Sequence, residues 1–178
     1  MSTSFDGFDL GSFWEESDYA REHYQDEPPT EELVRAIERE LGYRLPRAYV
    51  ELAGHRNGGI PLKQNHRTDK PTTWDDDGIA ITGIFSIGRQ KRYSLCGPLG
   101  SRFWVDEWDY PPIGVYFANT PTAGHDMVAL DYRECGQEGE PKVVHVAQGD
   151  EFEITVVAED FASFIRGLKD DDEYEAGA

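Results

Sequence analysis

Cysteine, long apolar runs and positive charge are all scarce in this sequence, and each scarcity excludes something. Only Cys96 and Cys135 occur in 178 residues. They are widely spaced and sit in no paired motif, which excludes a disulfide-dense scaffold and predicts two free thiols. No stretch approaches the roughly 20 consecutive apolar residues that a membrane-spanning helix needs. The opening residues, MSTSFDGFDLGSFWEE, lack a basic segment followed by an apolar one, so no export signal is expected and the predicted location is the cytoplasm. Lys and Arg total 17 against 35 Asp and Glu, a formal net charge of −18. A surface of this sign repels nucleic acid and anionic membrane and favours a basic partner; the same charge also serves solubility.

What is present suits one globular domain with a substantial core, at 38% hydrophobic and 29% charged residues. Its centre is the stretch from Tyr110 to Glu134, which reads as strand, tight loop, strand. Ile113, Val115 and Phe117 alternate with Gly114, Tyr116 and Ala118, so both faces carry apolar bulk and a covered strand is expected. Val128, Leu130 and Tyr132 repeat the pattern after the turn formers of ANTPTAG.

Around this pair the chain reads as follows. Residues 1–11 form a loose arm. Ser12 and Glu15 match a capping box and predict a helix over about 13–24. Thr30 caps a second helix carrying Leu33, Val34, Ile37 and Leu41, closed by Gly42. A third begins at Leu45-Pro46, buries Tyr49, Leu52 and Ala53, and stops at the turn Asn57-Gly58-Gly59. Residues 60–78 read as loop, and Ile79 to Ile87 as one strand with a bulge at Gly83. Residues 88–110 carry little pattern. Val143–Val146 and Phe152–Val157 are two further strands around Gln148-Gly149-Asp150. Phe161, Phe164, Ile165 and Leu168 mark a helix over Glu159–Lys169, and residues 170–178 form a frayed acidic tail. The order predicts a single α+β domain over 12–169, with a central, mostly antiparallel sheet of about five strands flanked by N-terminal helices and one C-terminal helix.

The residues capable of chemistry also admit plainer roles. His125, Asp126, Asp131 and His145 are the nearest approach to a metal cluster, but their spacing matches no metal motif. His125, Asp126 and Asp131 are therefore expected to be structural, holding turn or strand-end backbone, as are Asn57, Gly58 and Gly59, and no metal or cofactor is predicted. There is no G-x-S-x-G elbow, and the glycines at 58 and 59 follow a helix rather than a strand, the wrong order for a phosphate loop. No catalytic residue is assigned. Two runs set aromatics among acids, Trp74 to Asp77 and Trp104 to Tyr110. Trp74, Asp75, Asp76, Trp104, Asp106, Glu107 and Trp108 are candidate contacts for a basic partner, the aromatics supplying area and the acids steering the encounter. The alternative places the tryptophans in the core and leaves the acids to solubilise.

Four separated segments, LPRAYVELAGHRNGG (45–59), WVDEWDYPPIG (104–114), GHDMVALDYRECGQEGEPKVVHV (124–146) and VAEDFASFIRGL (157–168), occur in an order that resembles the SUKH superfamily. This group contains the fungal Smi/Knr cell-wall regulators and many bacterial relatives. The resemblance spans roughly residues 13 to 169; VAQGDEFE departs from the tighter acidic turn of that pattern. It implies one α+β domain, with no catalytic residues to transfer. Many bacterial members look like immunity proteins that neutralise nuclease or other toxins, and the fungal members are signalling scaffolds. The leading expectation is thus a non-enzymatic immunity protein against a basic, nuclease-type toxin. A regulatory scaffold is the alternative, and a metal-dependent module on His125, Asp126, Asp131 and His145 the third possibility.

Overall fold

The computed structural model describes residues 3–149 and 151–176. Its N-terminal helices are α1 (Asp18–His23), α2 (Glu31–Leu41) and α3 (Arg47–His55). Thr30 caps α2 by accepting from the Leu33 amide at 3.1 Å, and Gly42 closes it at φ 84°, a conformation that disfavours a Cβ. Pro46 precedes α3, where a missing N–H leaves no bond unmade. α1 corrects the sequence-based expectation. Ser12 and Glu15 form no capping box; Ser17 is the cap, accepting from the Ala20 amide at 3.1 Å, and Asp9 holds a separate 3-10 turn at Leu10–Ser12. Phe13 and Trp14 are the reason. Both are buried, with rings 4.8 Å apart, and Trp14 bridges to Pro61. Here the chain between the turn and α1 runs extended to pack this pair, and the helix starts only after it.

β1 (Asn65–Arg67) and β2 (Gly78–Ala80) form a small antiparallel pair inside a region expected to be partly loop. The main sheet is a five-stranded antiparallel meander of β3 (Gly83–Ile84), β4 (Gly114–Asn119), β5 (Asp126–Asp131), β6 (Lys142–Ala147) and β7 (Glu153–Ala158), in that spatial order. The stretch expected as one strand from Ile79 to Ile87 is thus divided between two sheets. Gly83 marks close packing rather than a bulge, since an added Cβ would lie 2.2 Å from the Tyr24 ring. The irregularity falls instead between Tyr116 and Ala118 on β4. Phe117 meets Tyr49, Phe161 and Phe164 at ring separations of 5.9, 5.5 and 5.7 Å. Tyr116 meets Tyr110 at 5.3 Å, and Tyr110 in turn meets Trp104 of α4 (Ser101–Trp108), a helix in the segment that carried little pattern. The central strands β4, β5 and β6 are covered on both sides, as the unbroken apolar runs of β4 and β5 require, while β7 keeps Val156 exposed.

Asn57 joins three segments from within the core. Its amide group donates to the carbonyls of Glu27 and Ile87, both at 2.9 Å, and its Oδ1 accepts from the Ile87 amide at 2.7 Å. Two further corrections concern the ends. The N-terminal arm is fastened over its described residues 3–11: Phe5 is buried, the Ser4 amide donates to Glu51 at 2.8 Å, and Arg166 donates to the carbonyls of Ser4 and Asp6. The acidic tail forms α6 (Asp171–Ala176), held by Tyr174, whose hydroxyl donates to Asp75 at 2.8 Å and whose ring lies under the Arg67 guanidinium at 4.1 Å. Met1, Ser2, Asp150, Gly177 and Ala178, parts of the expected arm, turn and tail, lie outside the described residues. α5 (Phe161–Arg166) is shorter than expected at both ends; Asp160 caps it, and after Gly167 the backbone of Lys169 pairs with Asn65.

Phe161, Phe164 and Ile165 of α5 have no exposed surface and close the core over Phe117. Replacing Phe164 with Ala is expected to lower stability by about 3–5 kcal/mol. A urea midpoint equal to that of the unaltered protein would contradict this packing.

Candidate functional site

The two acidic aromatic runs converge on one end of the central hairpin, the turn 120–125 between β4 and β5. That turn is built around Asp126, the first residue of β5, which is only 2% exposed. Its Oδ1 accepts from Thr120 Oγ1 at 2.5 Å and from Thr122 Oγ1, and its Oδ2 accepts from His145 Nε2 at 2.7 Å and from Thr73 Oγ1 at 3.3 Å. An ionised carboxylate only accepts, so Nε2 of the buried His145 carries the hydrogen. Burial by itself would raise the Asp126 pKa, but the hydrogen bonds from His145, Thr120 and Thr122 outweigh it and hold the carboxyl at about 2. The turn closes through Ala123 and Gly124, both at positive φ. At Gly124 a Cβ would sit 2.9 Å from the Trp104 ring and 3.1 Å from that of Trp108.

On this base the candidate residues divide. Trp74 is 43% exposed, beside exposed Asp75 and Asp76, and its neighbour Thr73 makes the bond to Asp126. Asp106 and Glu107 are exposed on α4. Trp108 is half-buried, 5.4 Å from the Trp104 ring and 6.4 Å from that of exposed His125. Trp104 corrects the sequence reading. It is 6% exposed with Nε1 donating to the Leu99 carbonyl at 3.0 Å, a core residue with no surface to offer a partner. What remains is exposed Trp74 with Asp75 and Asp76 on one segment and exposed Asp106 and Glu107 with half-buried Trp108 on another, both attached to the Asp126 turn.

The four residues weighed as a metal cluster do not come together. Asp126 and His145 pair internally, while Asp131 lies at the far end of β5, about 17 Å away by strand rise. There Arg133 donates to both Asp131 oxygens at 3.0 and 2.8 Å and, against the effect of burial, keeps its pKa low. Among the described residues no group of three or more His, Cys, Asp and Glu side chains is placed to hold a metal ion. A broadly open recess of about 750 Å³ lies elsewhere, between Tyr43 and Arg44 after α2 and the turn at Cys135–Gly139.

Sequence reasoning missed α6 and Tyr174, which extend the acidic surface. Tyr174 donates to both Asp75 and Asp77, while Arg67 pairs with Asp77 at 2.5 Å. The lone aromatic in an acidic tail was the available signal. Thr120 and Thr122 were also missed, although Thr-x-Thr ahead of a buried acid is the pattern that satisfies it.

The pattern of the SMI1 / KNR4 family (SUKH-1) matches residues 28–167, from the start of α2 to the end of α5. The chain belongs to this family. The matched span holds the whole five-stranded meander and the Asp126 turn; the N-terminal arm, α1 and α6 lie outside it. No curated protein matches the chain. Among the described residues no helix of this SUKH-1 protein is long and apolar enough to cross a membrane.

The Asp126 network makes a pH-dependent contribution with a defined sign. Its folded pKa of about 2 lies below the ordinary 3.8, so the stabilisation is complete above about pH 4 and is lost as pH falls through 2. Relative to Asp126→Asn, the unaltered protein is expected to be about 2 kcal/mol more stable at neutral pH, with the difference closing as pH falls from about 4 to about 2. Urea unfolding of both proteins across that range checks it; a difference that stays constant with pH would contradict it.

Proposed function

We propose that this SUKH-1 protein is a non-enzymatic immunity protein of the cytoplasm that binds and neutralises a basic, nuclease-type toxin. The observation that carries the reading is the acidic surface assembled at the Asp126 end of the sheet. Loop 74–77 and α6 meet where Tyr174 donates to Asp75 and Asp77, beside exposed Trp74, and α4, which packs on the same turn through Trp104 and Trp108, exposes Asp106 and Glu107. A nuclease holds phosphates with Lys and Arg, so a protein that covers its groove offers carboxylates in their place. One accessible tryptophan among acids supplies the buried area that charge alone lacks. Family membership is consistent with a protein partner and with either an immunity or a regulatory role.

The decisive experiment recovers the partner from the native cell by its association with this chain. The captured protein is expected to be basic, to arrest growth when expressed alone in a bacterium, and to be harmless when this chain is co-expressed. A triple variant, Asp76→Lys, Asp106→Lys and Glu107→Lys, is expected to lose protection while keeping its thermal midpoint, because none of the three side chains bonds to a structural partner among the described residues. A non-toxic endogenous partner would favour the scaffold role instead. Full protection by the triple variant would move the contact surface elsewhere.

A further inference from the structure

β7 closes the meander on one side. β6 pairs with its inner edge, and among the described residues no strand or isolated bridge pairs with its outer edge. The other end of the sheet is not open in this way. Gly59 exchanges backbone hydrogen bonds with Ile84 of β3 at 3.1 and 2.8 Å. A free six-residue edge presents a row of unpaired N–H and C=O groups, and proteins usually blunt such a row with lysine, proline or a distorted strand. From Ile154 to Ala158 there is no charge and no proline. One bulge interrupts the strand near its end, where Val157 is the extra residue between the pairs Val143–Ala158 and Val144–Val156; the four residues Glu153 to Val156 pair in regular register. Val156, in the middle of the run, is 45% exposed.

The charges around this edge choose its occupant. Residues 150–160 contain Asp150, Glu151, Glu153, Glu159 and Asp160 and no base. The bases that share a shallow recess with Val156 are already engaged, Arg133 with Asp131 at 2.8 Å and Lys142 with Glu134 at 2.9 Å. A second copy of the chain, paired edge to edge in antiparallel fashion, would set its acids at 151–153 against those at 159–160. Like charges placed opposite destabilise such a pair. A strand with lysine or arginine at both ends meets opposite charge at both ends. The edge also begins beside the acidic surface, since Asp126, Ala147 and Glu153 lie in one cross-strand row.

We propose that the outer edge of β7 accepts an added strand from a basic protein partner, with the backbone supplying hydrogen bonds and the flanking acids selecting Lys or Arg. The proposal rests on the reading of this chain as a binder of a basic protein, and it assigns that partner a second point of attachment.

The test uses the full chain and a defined probe, the peptide Lys-Lys-Thr-Val-Thr-Val-Thr-Lys-Lys, with a Glu-for-Lys counterpart and a version N-methylated on alternate backbone nitrogens. Amide hydrogen exchange is followed residue by residue. The basic peptide is expected to slow exchange at residues of β7 by about tenfold or more at saturation. The protection is expected to vanish with the N-methylated peptide and to fall in Val156→Lys, an exposed position that leaves the core intact. Absence of protection at millimolar peptide, equal protection by the Glu counterpart, or protection centred outside β7 would overturn the proposal. So would a dimer of the unaltered chain that Val156→Lys dissociates, because the edge would then belong to a second copy. The two readings fail separately. If the triple variant at Asp76, Asp106 and Glu107 loses toxin protection but the peptide ignores β7, the edge proposal fails and the function stands. If the peptide docks on β7 but the recovered partner is not toxic, the immunity function fails and the edge chemistry stands.

Discussion

Strands buried on both faces leave no water for the polar groups that enter them, and the buried carboxylate of Asp126 is where this constraint bears hardest. An ionised group in such a site is tolerated only when its acceptor capacity is filled. Here two threonine hydroxyls and the His145 ring fill it, with Thr73 reaching in from a distant loop. The consequence is geometric. Satisfying one carboxylate ties the β4–β5 turn, β6 and the loop before β2 into a single end of the molecule. Trp104 and Trp108 then pack so closely against Gly124 that α4 is placed by the same turn. The segments proposed to bind a partner, loop 74–77 and α4, are both anchored on this polar knot.

The acidic surface carries an electrostatic cost. A net charge of −18 pushes the compact state apart, and the pairs that relieve it locally, Arg67 with Asp77 and Lys63 with Glu173, lie at the surface where each contributes about 0–1 kcal/mol. The core must therefore supply the stability, which it does through Tyr24, Tyr49, Phe117, Phe161 and Phe164, all buried. The division of labour is physical: aromatics and Asn57 hold the fold, while exposed acids such as Asp76, Asp106 and Glu107 add repulsion and no packing.

Much of the core and the sheet could be read from the sequence because their residues obey a period. The alternation in Val115–Ala118 and Val128–Tyr132 and the four apolar positions of α5 each point to one face, and family resemblance supplied the order. Other elements carried no such period. Phe13 and Trp14 sit side by side where a capping box suggested a helix, and only their burial against Pro61 shows why the chain is extended. α4 places Trp104 inward and Asp106 and Glu107 outward in a helix too short to display a clear stripe. The pairing of Asp126 with His145 joins residues 19 apart, and it depends on a strand register that no local pattern encodes. Trp74 and Trp104 looked alike in sequence because both stand beside acids, and burial alone separates a surface anchor from a core residue.

The central claim is that charge on the Asp126 end of this SUKH-1 protein draws in a basic partner, and the salt dependence of the association rate tests it most directly. The Debye length shrinks from about 30 Å at 0.01 M salt to about 8 Å at 0.15 M, so steered encounters slow steeply over that range while contacts formed after docking change little. Stopped-flow mixing with the recovered partner, following tryptophan fluorescence, is expected to show an association rate that falls about tenfold or more across that interval, with a much smaller change in dissociation. An association rate independent of salt would contradict the account.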